Sequence, residues 1–212
     1  MSSPIGLRER KKQETREALA SAALHLAVER GPDGVTVDEI SAAANVSPRT
    51  FFNYFSSKDE AILAVTHDPG QVMLDDLENR PACESPLQAV REALIAGSEP
   101  LSRTPAETRL RMRVLLAGTP SLQASYRAKW SAVERSVAEI IGRRVGLEAD
   151  HDMYVSLLGA GAMAAFRVAL ERWWHADDDT PSLAELITLA FDHLANGLQP
   201  PAGSREPIPL PT

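Results

Sequence analysis

The chain has 212 residues, 44% apolar, 24% charged and 5% aromatic, enough to bury a sizeable core without a disulfide or metal staple and unlike collagenous, low-complexity or disordered sequences. Its formal charge of −7 excludes a uniformly basic surface, so any contact with a polyanion has to be local. No run approaches about eighteen consecutive apolar residues and no apolar segment follows the basic N-terminus, so neither a membrane span nor a signal peptide is expected.

A single cysteine, Cys83, can form neither an internal disulfide nor a multi-cysteine metal site, which fits the cytoplasm. Charge is uneven: residues 1–60 carry eight Lys/Arg against nine Asp/Glu, and residues 61–212 carry fourteen against twenty. Residues 1–16 hold Arg8, Arg10, Lys11, Lys12 and Arg16 against Glu9 and Glu14, a local +3. Residues 1–12 therefore read as a flexible basic arm.

Leu19, Ala22, Ala23, Leu26 and Ala27 recur at helical spacing and predict an amphipathic helix over 13–30, stopped by Gly31-Pro32. Thr36-Val37-Asp38-Glu39 is a capping box that opens a short helix with Val37, Ile40 and Ala44 as its apolar stripe. Asn45, one of the few non-glycine types that tolerate the left-handed conformation, marks a sharp turn. Ser47-Pro48 restarts a helix at once, serine as N-cap and proline at the first position. Ser57 to Glu60 forms another box, opening a helix expected to run to about residue 79.

Beyond it, helical patterns continue and no convincing period-2 run appears, so the fold class is all-α. Pro86, Pro105 and Pro120 sit near helix starts, with Thr104 as N-cap and Glu107 closing its box. Residues 121–145 and 151–174 predict two long helices, and Ser182 to Glu185 boxes a last one that ends near Gly197. From Gln199 onward five prolines in fourteen residues predict a disordered tail over 199–212.

Two short helices joined by a tight turn and packed on a long one form a helix-turn-helix, whose second helix enters the DNA major groove. Ser47 to Phe55 is that second helix. Arg49 suits a guanine edge and Asn53, one turn on, an adenine edge, while Phe51 and Phe55 face the core. Thr50, Tyr54 and Lys58 are placed for phosphate, and Thr36, Ser47, Pro48 and Phe52 complete the DNA-binding set.

The run from Thr36 to Leu63, through the turn and the Tyr54-Phe55-Ser56-Ser57-Lys58 start of the next helix, resembles the tetracycline-repressor (TetR) family of bacterial regulators. The resemblance covers about residues 13–63, with two departures: Asn45 replaces a usual glycine, and Phe52 stands where many members carry a phosphate-contacting tyrosine. It implies a helix-turn-helix domain over 13–60 and a ligand-binding, dimerising helical domain over 61–198 of a homodimer. The Trp130 to Ile141 and Ala160 to Trp174 segments are similar to actinobacterial members, including the regulators associated with mycofactocin clusters.

On that basis the dimer interface is expected at Leu158, Gly159, Ala162, Phe166, Leu170, Leu189 and Leu194 of the last two helices. Candidates for the ligand pocket are Met112, Leu116, Trp130, Met153, Met163 and Phe166, side chains that equally suit a core. Arg109, Arg111 and Arg113 read first as a solvated face, with an acidic head group or an interdomain contact as alternatives. His151 between two aspartates and Asp177 to Asp179 read as helix-start and loop residues without metal-ligand spacing, and no cofactor or nucleophile-base pair is indicated. The expected function is a repressor, not an enzyme, binding a palindromic double-stranded operator as a homodimer and released by a small, largely apolar effector, a fatty acyl compound among the candidates. The alternative is a small-molecule sequestering module whose DNA-binding face has decayed.

Overall fold

A computed structural model describes residues 7–64, 69–149, 151–175 and 181–199, whose regular elements are all helices, with no strand among them. The helices are α1 (Leu7–Arg30), α2 (Val37–Ala43), α3 (Pro48–Phe51), α4 (Lys58–Leu63), α5 (Pro69–Asn79), α6 (Pro86–Ser102), α7 (Ala106–Gly118), α8 (Pro120–Val145), α9 (Met153–Trp174) and α10 (Leu183–Ala195).

Local signals fix most boundaries. α2 and α10 start in complete capping boxes, Thr36 with Glu39 and Ser182 with Glu185. Ser85 caps α6 ahead of Pro86. Asp152 caps α9 by accepting from the Tyr154 N–H at 2.8 Å. Helix α8 ends with Gly146 at φ 73 and the Leu147 N–H bonded to the Gly142 carbonyl at 3.0 Å, which satisfies a carbonyl left open at the helix end.

Four expectations change. The arm is helical from Leu7, so Arg8 to Lys12 ride on the first turns of α1; residues 1–6 lie outside the described residues. The helix expected from Ser57 to about 79 is two, α4 and α5, because Pro69 cannot occupy a helix interior and instead opens the second. Glu60 does not close a box on Ser57: its carboxylate accepts from the Ser56 N–H and hydroxyl, both at 2.7 Å, while Ser57 accepts from the Glu60 N–H. Thr104 does not cap α7, since Pro105 occupies the N-cap and makes no side-chain capping bond. The expected tail from residue 200, like Asp177 to Asp179, lies outside the described residues.

Two apolar cores result. The first packs Leu19, Ala23 and Ala27 of α1 against Ile40, Phe51, Phe55 and Ile62, and is completed by Met112 and Leu115 of α7 and Leu122 of α8. Phe51 and Phe55 are fully enclosed, each worth about 2–3 kcal/mol of burial. The second gathers α5, α6, the C-terminal part of α8, α9 and α10 around Leu77, Val90, Val137, Ile141, Phe166 and Ile187.

Helix α9 is the centre of that second core. By length and composition it is apolar enough to cross a membrane, yet Val155, Ala162, Phe166, Ala169, Leu170 and Trp173 are buried inside the chain itself. Gly159 lets α8 approach: a Cβ there would meet the Ala138 methyl at 3.2 Å.

Candidate DNA-binding face and ligand cavity

The helix-turn-helix is built by short-range bonds. The Glu39 N–H donates to the Thr36 hydroxyl at 3.3 Å and the Thr36 N–H to the Glu39 carboxylate at 2.9 Å. Asn45 turns the chain at φ 55, and the Val46 N–H then reaches the Ser41 carbonyl at 2.9 Å. Ser47 accepts from the Thr50 N–H at 3.1 Å and its hydroxyl pairs with that of Thr50 at 2.8 Å. Beneath this, Phe51 is buried with Phe52 edge-on at 5.4 Å and Phe55 at 5.8 Å.

With Phe51 locked inward, Pro48, Arg49, Phe52 and Asn53 are left exposed and Thr50 and Tyr54 half-buried. Helix α3 spans four residues, so Asn53 lies in the turn after it, its N–H on the Thr50 carbonyl at 3.1 Å. Glu39, in the first turn of α2, has its carboxyl held below its ordinary range, first by the Thr36 N–H and hydroxyl and then by Arg30, which pairs with it at 2.8 Å.

Lys58 departs from its expected role. Its ammonium donates to the Pro32 carbonyl at 2.8 Å and the Val35 carbonyl at 3.0 Å, tying the start of α4 to the segment before α2. Two of its three donors are spent inside the domain, so it leaves the set of free phosphate contacts.

In the helical body, α7, α8 and α9 line an open cavity of about 410 Å³. Leu116, Ala117, Leu170 and Trp174 supply its apolar lining together with the Tyr126 ring, and Arg113, Gln123, Arg127, Arg167, Glu171 and His175 its polar lining. A second groove of about 270 Å³, lined by Trp130 and Met163 among others, shares Tyr126, Arg127 and Arg167 with it. Tyr126 packs edge-on to Trp130 at 5.8 Å and tilted on Trp174 at 6.0 Å, and burial pushes its phenol up to about 12, with Trp130 and the Arg167 charge acting in the opposite sense. The Trp174 indole nitrogen is buried there without a hydrogen-bond partner.

Residues 19–65 match the family described as bacterial regulatory proteins, tetR family, and residues 84–199 match the MftR C-terminal domain. The second match alone takes in more than half of the chain. The chain belongs to the TetR family of transcriptional regulators. It is 34% identical over 201 residues to the HTH-type transcriptional regulator TcmR of Streptomyces glaucescens, covering 92% of this chain and 87% of that protein. It is 30% identical over 193 residues to MftR of Mycobacterium tuberculosis, named for mycofactocin biosynthesis, covering 89% and 93%. Among solved structures, Thermus thermophilus FadR in complex with lauroyl-CoA superimposes with a TM-score of 0.53 at 24% identity, over 91% of this chain and 99% of that one. SmeT, the repressor of a Stenotrophomonas maltophilia multidrug efflux pump, gives 0.52 at 21%, over 92% and 97%. These likenesses establish the TetR fold, and the family is one of DNA-binding regulators, not enzymes.

Within this TetR chain the expected pocket residues separate. Leu116 lines the cavity, Trp130 and Met163 line the adjoining groove, and Phe166 packs on Trp130 at 5.3 Å between ring centres. Met112 is fully buried in the N-terminal core and Met153 is 76% exposed at the start of α9, so both leave the pocket set. Sequence reasoning missed Tyr126, Arg127, Arg167 and Trp174; the signal was Arg167, a charge interrupting the otherwise apolar run Leu157 to Leu170. Of the three arginines on α7, Arg113 reaches the cavity lining, Arg109 donates to the Trp173 carbonyl at 2.8 Å while lying over its ring, and Arg111 pairs with Glu107 at 2.5 Å.

The expected interface also divides. Gly159, Ala162, Phe166 and Leu170 are buried within one chain, where α9 meets its own neighbours, and cannot form an outer surface. Leu158 and Leu194 are half-buried against the same core. The apolar residues that α9 presents outward are Leu157, Ala160, Ala164 and Val168 at helical spacing, of which Ala160 and Ala164 also line the groove beside Trp130, and α10 presents Leu189. His151 pairs with Glu148 at 3.3 Å, and the described residues contain no group of three or more acidic, His or Cys side chains suited to a metal.

Proposed function

We propose that this TetR-family chain is a cytoplasmic, ligand-responsive repressor that binds a palindromic operator as a homodimer. Residues 13–60 serve as its DNA-binding unit and 61–198 as its ligand-binding and dimerising unit. The observation that carries the reading is the outward pair Arg49 and Asn53, held over a fully buried Phe51 by the Ser47 cap. Arg49 addresses a guanine edge, Asn53 an adenine edge, and the 60%-exposed Phe52 ring offers apolar contact to a thymine methyl. Thr50 and Tyr54 turn hydroxyls toward phosphate, while the basic residues Arg8 to Lys12, carried on a helix, add a salt-sensitive attraction.

Two such faces have to be held at the spacing of two half-sites, and the outward row Leu157, Ala160, Ala164 and Val168 with Leu189 is the apolar surface available to pair two copies. A ligand with an apolar body in the α7–α8–α9 cavity then weakens operator binding by favouring a dimer in which the two faces are wrongly spaced.

Selection of fragmented genomic DNA by the purified chain at near-physiological salt tests this, with Arg49→Ala alongside. A palindrome retained by the wild type and lost by the variant supports the reading. Retention of nothing specific, with or without added apolar ligands, overturns it in favour of a sequestering module.

A further inference from the structure

The cavity that the proposed function assigns to an effector carries information about the effector's charge. Each of the three surrounding helices contributes one guanidinium to the lining: Arg113 from α7, Arg127 from α8 and Arg167 from α9. Among the described residues none of the three is held in an ion pair, whereas Arg80, Arg91, Arg103, Arg111 and Arg143 all are. The opposing charge on the lining is Glu171 alone, so the lining is positive in a chain whose overall charge is −7. Arg127 and Arg167 also line the adjoining groove, whose lining holds one carboxylate, Glu134, so these two arginines are shared by both hollows. The lining also carries aromatic rings: Tyr126 and Trp174, inclined at 44° to each other, in the cavity, and Trp130 in the groove.

We propose that the effector is an organic anion with a flat, ring-bearing body, its rings on the Tyr126–Trp174 wall and its acidic group between Arg127 and Arg167, with Arg113 in reserve on the third side. Guanidinium forks bind two oxygens of one acidic group through paired N–H donors, and a guanidinium without an ion pair has its donors available.

This inference rests on the ligand-responsive reading of the helical body, and a matched pair of probes separates the two. Anilinonaphthalene sulfonate and phenylnaphthylamine share their ring systems and differ by the sulfonate. Their dissociation constants for the full-length protein are measured by quenching of tryptophan fluorescence, with Trp174→Leu locating the signal. The ratio of the sulfonate's dissociation constant to that of the neutral probe is expected to rise by about ten-fold or more in Arg127→Gln/Arg167→Gln, while the neutral probe's own affinity is unchanged and so reports an intact fold. High salt moves the wild-type ratio the same way. A ratio that is equal in wild type and double variant overturns the anionic class while leaving an apolar effector in place. Absence of binding by either probe overturns the cavity as a ligand site, and this inference with it, while operator selection with Arg49→Ala still judges DNA binding independently.

Discussion

The Ser125 hydroxyl of α8 donates a hydrogen bond to the Asp59 carboxylate of α4 across 3.2 Å, joining residues 66 apart in the sequence. Asp59 follows Lys58, whose ammonium holds the Pro32 and Val35 carbonyls just before the Thr36 cap of α2. Ser125 precedes Tyr126 and Arg127 at the cavity. A displacement of α8 by a ligand therefore has a two-step polar connection to the start of the helix-turn-helix. Ser125→Ala should lower the unfolding free energy by only about 1 kcal/mol. It should also shrink the ratio of ligand affinities measured with and without operator, the reciprocal form of the coupling, by several-fold, with Ser125→Thr restoring it.

Lys58 is expected to act on stability. Removal of its ammonium takes the side-chain donor from both carbonyls and leaves Pro32 only the longer bond from the Val35 N–H at 3.4 Å, so Lys58→Met should lose about 1–3 kcal/mol in denaturant unfolding. Arg49→Ala, on an exposed side chain with no packing role, should leave unfolding within about 0.5 kcal/mol and weaken operator binding by about 1–3 kcal/mol.

The α2 cap should be sensitive to acid. Glu39 has its carboxyl depressed in the folded chain, so its contribution is complete above the ordinary carboxylate range near 4.3 and is lost as pH falls through its lower folded value. Thr36→Ala removes both the hydroxyl acceptor of the box and part of that depression. The variant should be about 1 kcal/mol less stable at neutral pH, and the gap to wild type should narrow on acidification, as thermal melts across pH 3 to 7 would record.

Gly142 occupies a position where an alanine methyl would stand 2.6 Å from the Leu147 carbonyl oxygen. Alanine is worth about 1 kcal/mol more than glycine inside a free helix. Here Gly142→Ala should nonetheless destabilise, by about 1–3 kcal/mol, because backbone and not a flexible side chain has to give way. Equal or raised melting temperature would contradict the geometry of the α8 end.

Leu157 is 65% exposed on the outward row of α9. Leu157→Glu should leave the monomer folded by circular dichroism, shift sedimentation from dimer to monomer, and abolish high-affinity operator binding, since two half-sites are then no longer read together.

The parts legible in the sequence are those decided within a few residues. The Thr36 and Ser182 boxes, the Asn45 turn and the Ser47-Pro48 restart all satisfy backbone groups three or four positions away, and residue type alone specifies them. What escaped depends on partners far along the chain. Lys58 looks like a free cation until Pro32 and Val35, 26 and 23 residues earlier, are folded beneath it. Helix α9 defeated face assignment for a different reason: small and apolar residues line both sides of it, so Phe166 and Leu157 are equivalent in pattern and opposite in place. The cavity arginines carry no motif, because three separate helices each contribute one.

Helix α8 enters the first core through Leu122 and the second through Val133, Val137, Ile140 and Ile141. Over 26 residues it is a continuous rod about 39 Å long, shared by both. Met112 and Leu115 of the preceding helix likewise fill the core under the recognition helix. The DNA-reading part is therefore not a detachable module: a fragment ending at residue 64 would expose the surface these three side chains cover. The two cores should accordingly melt as one cooperative unit, and binding energy gained in one is felt in the other without any dedicated hinge.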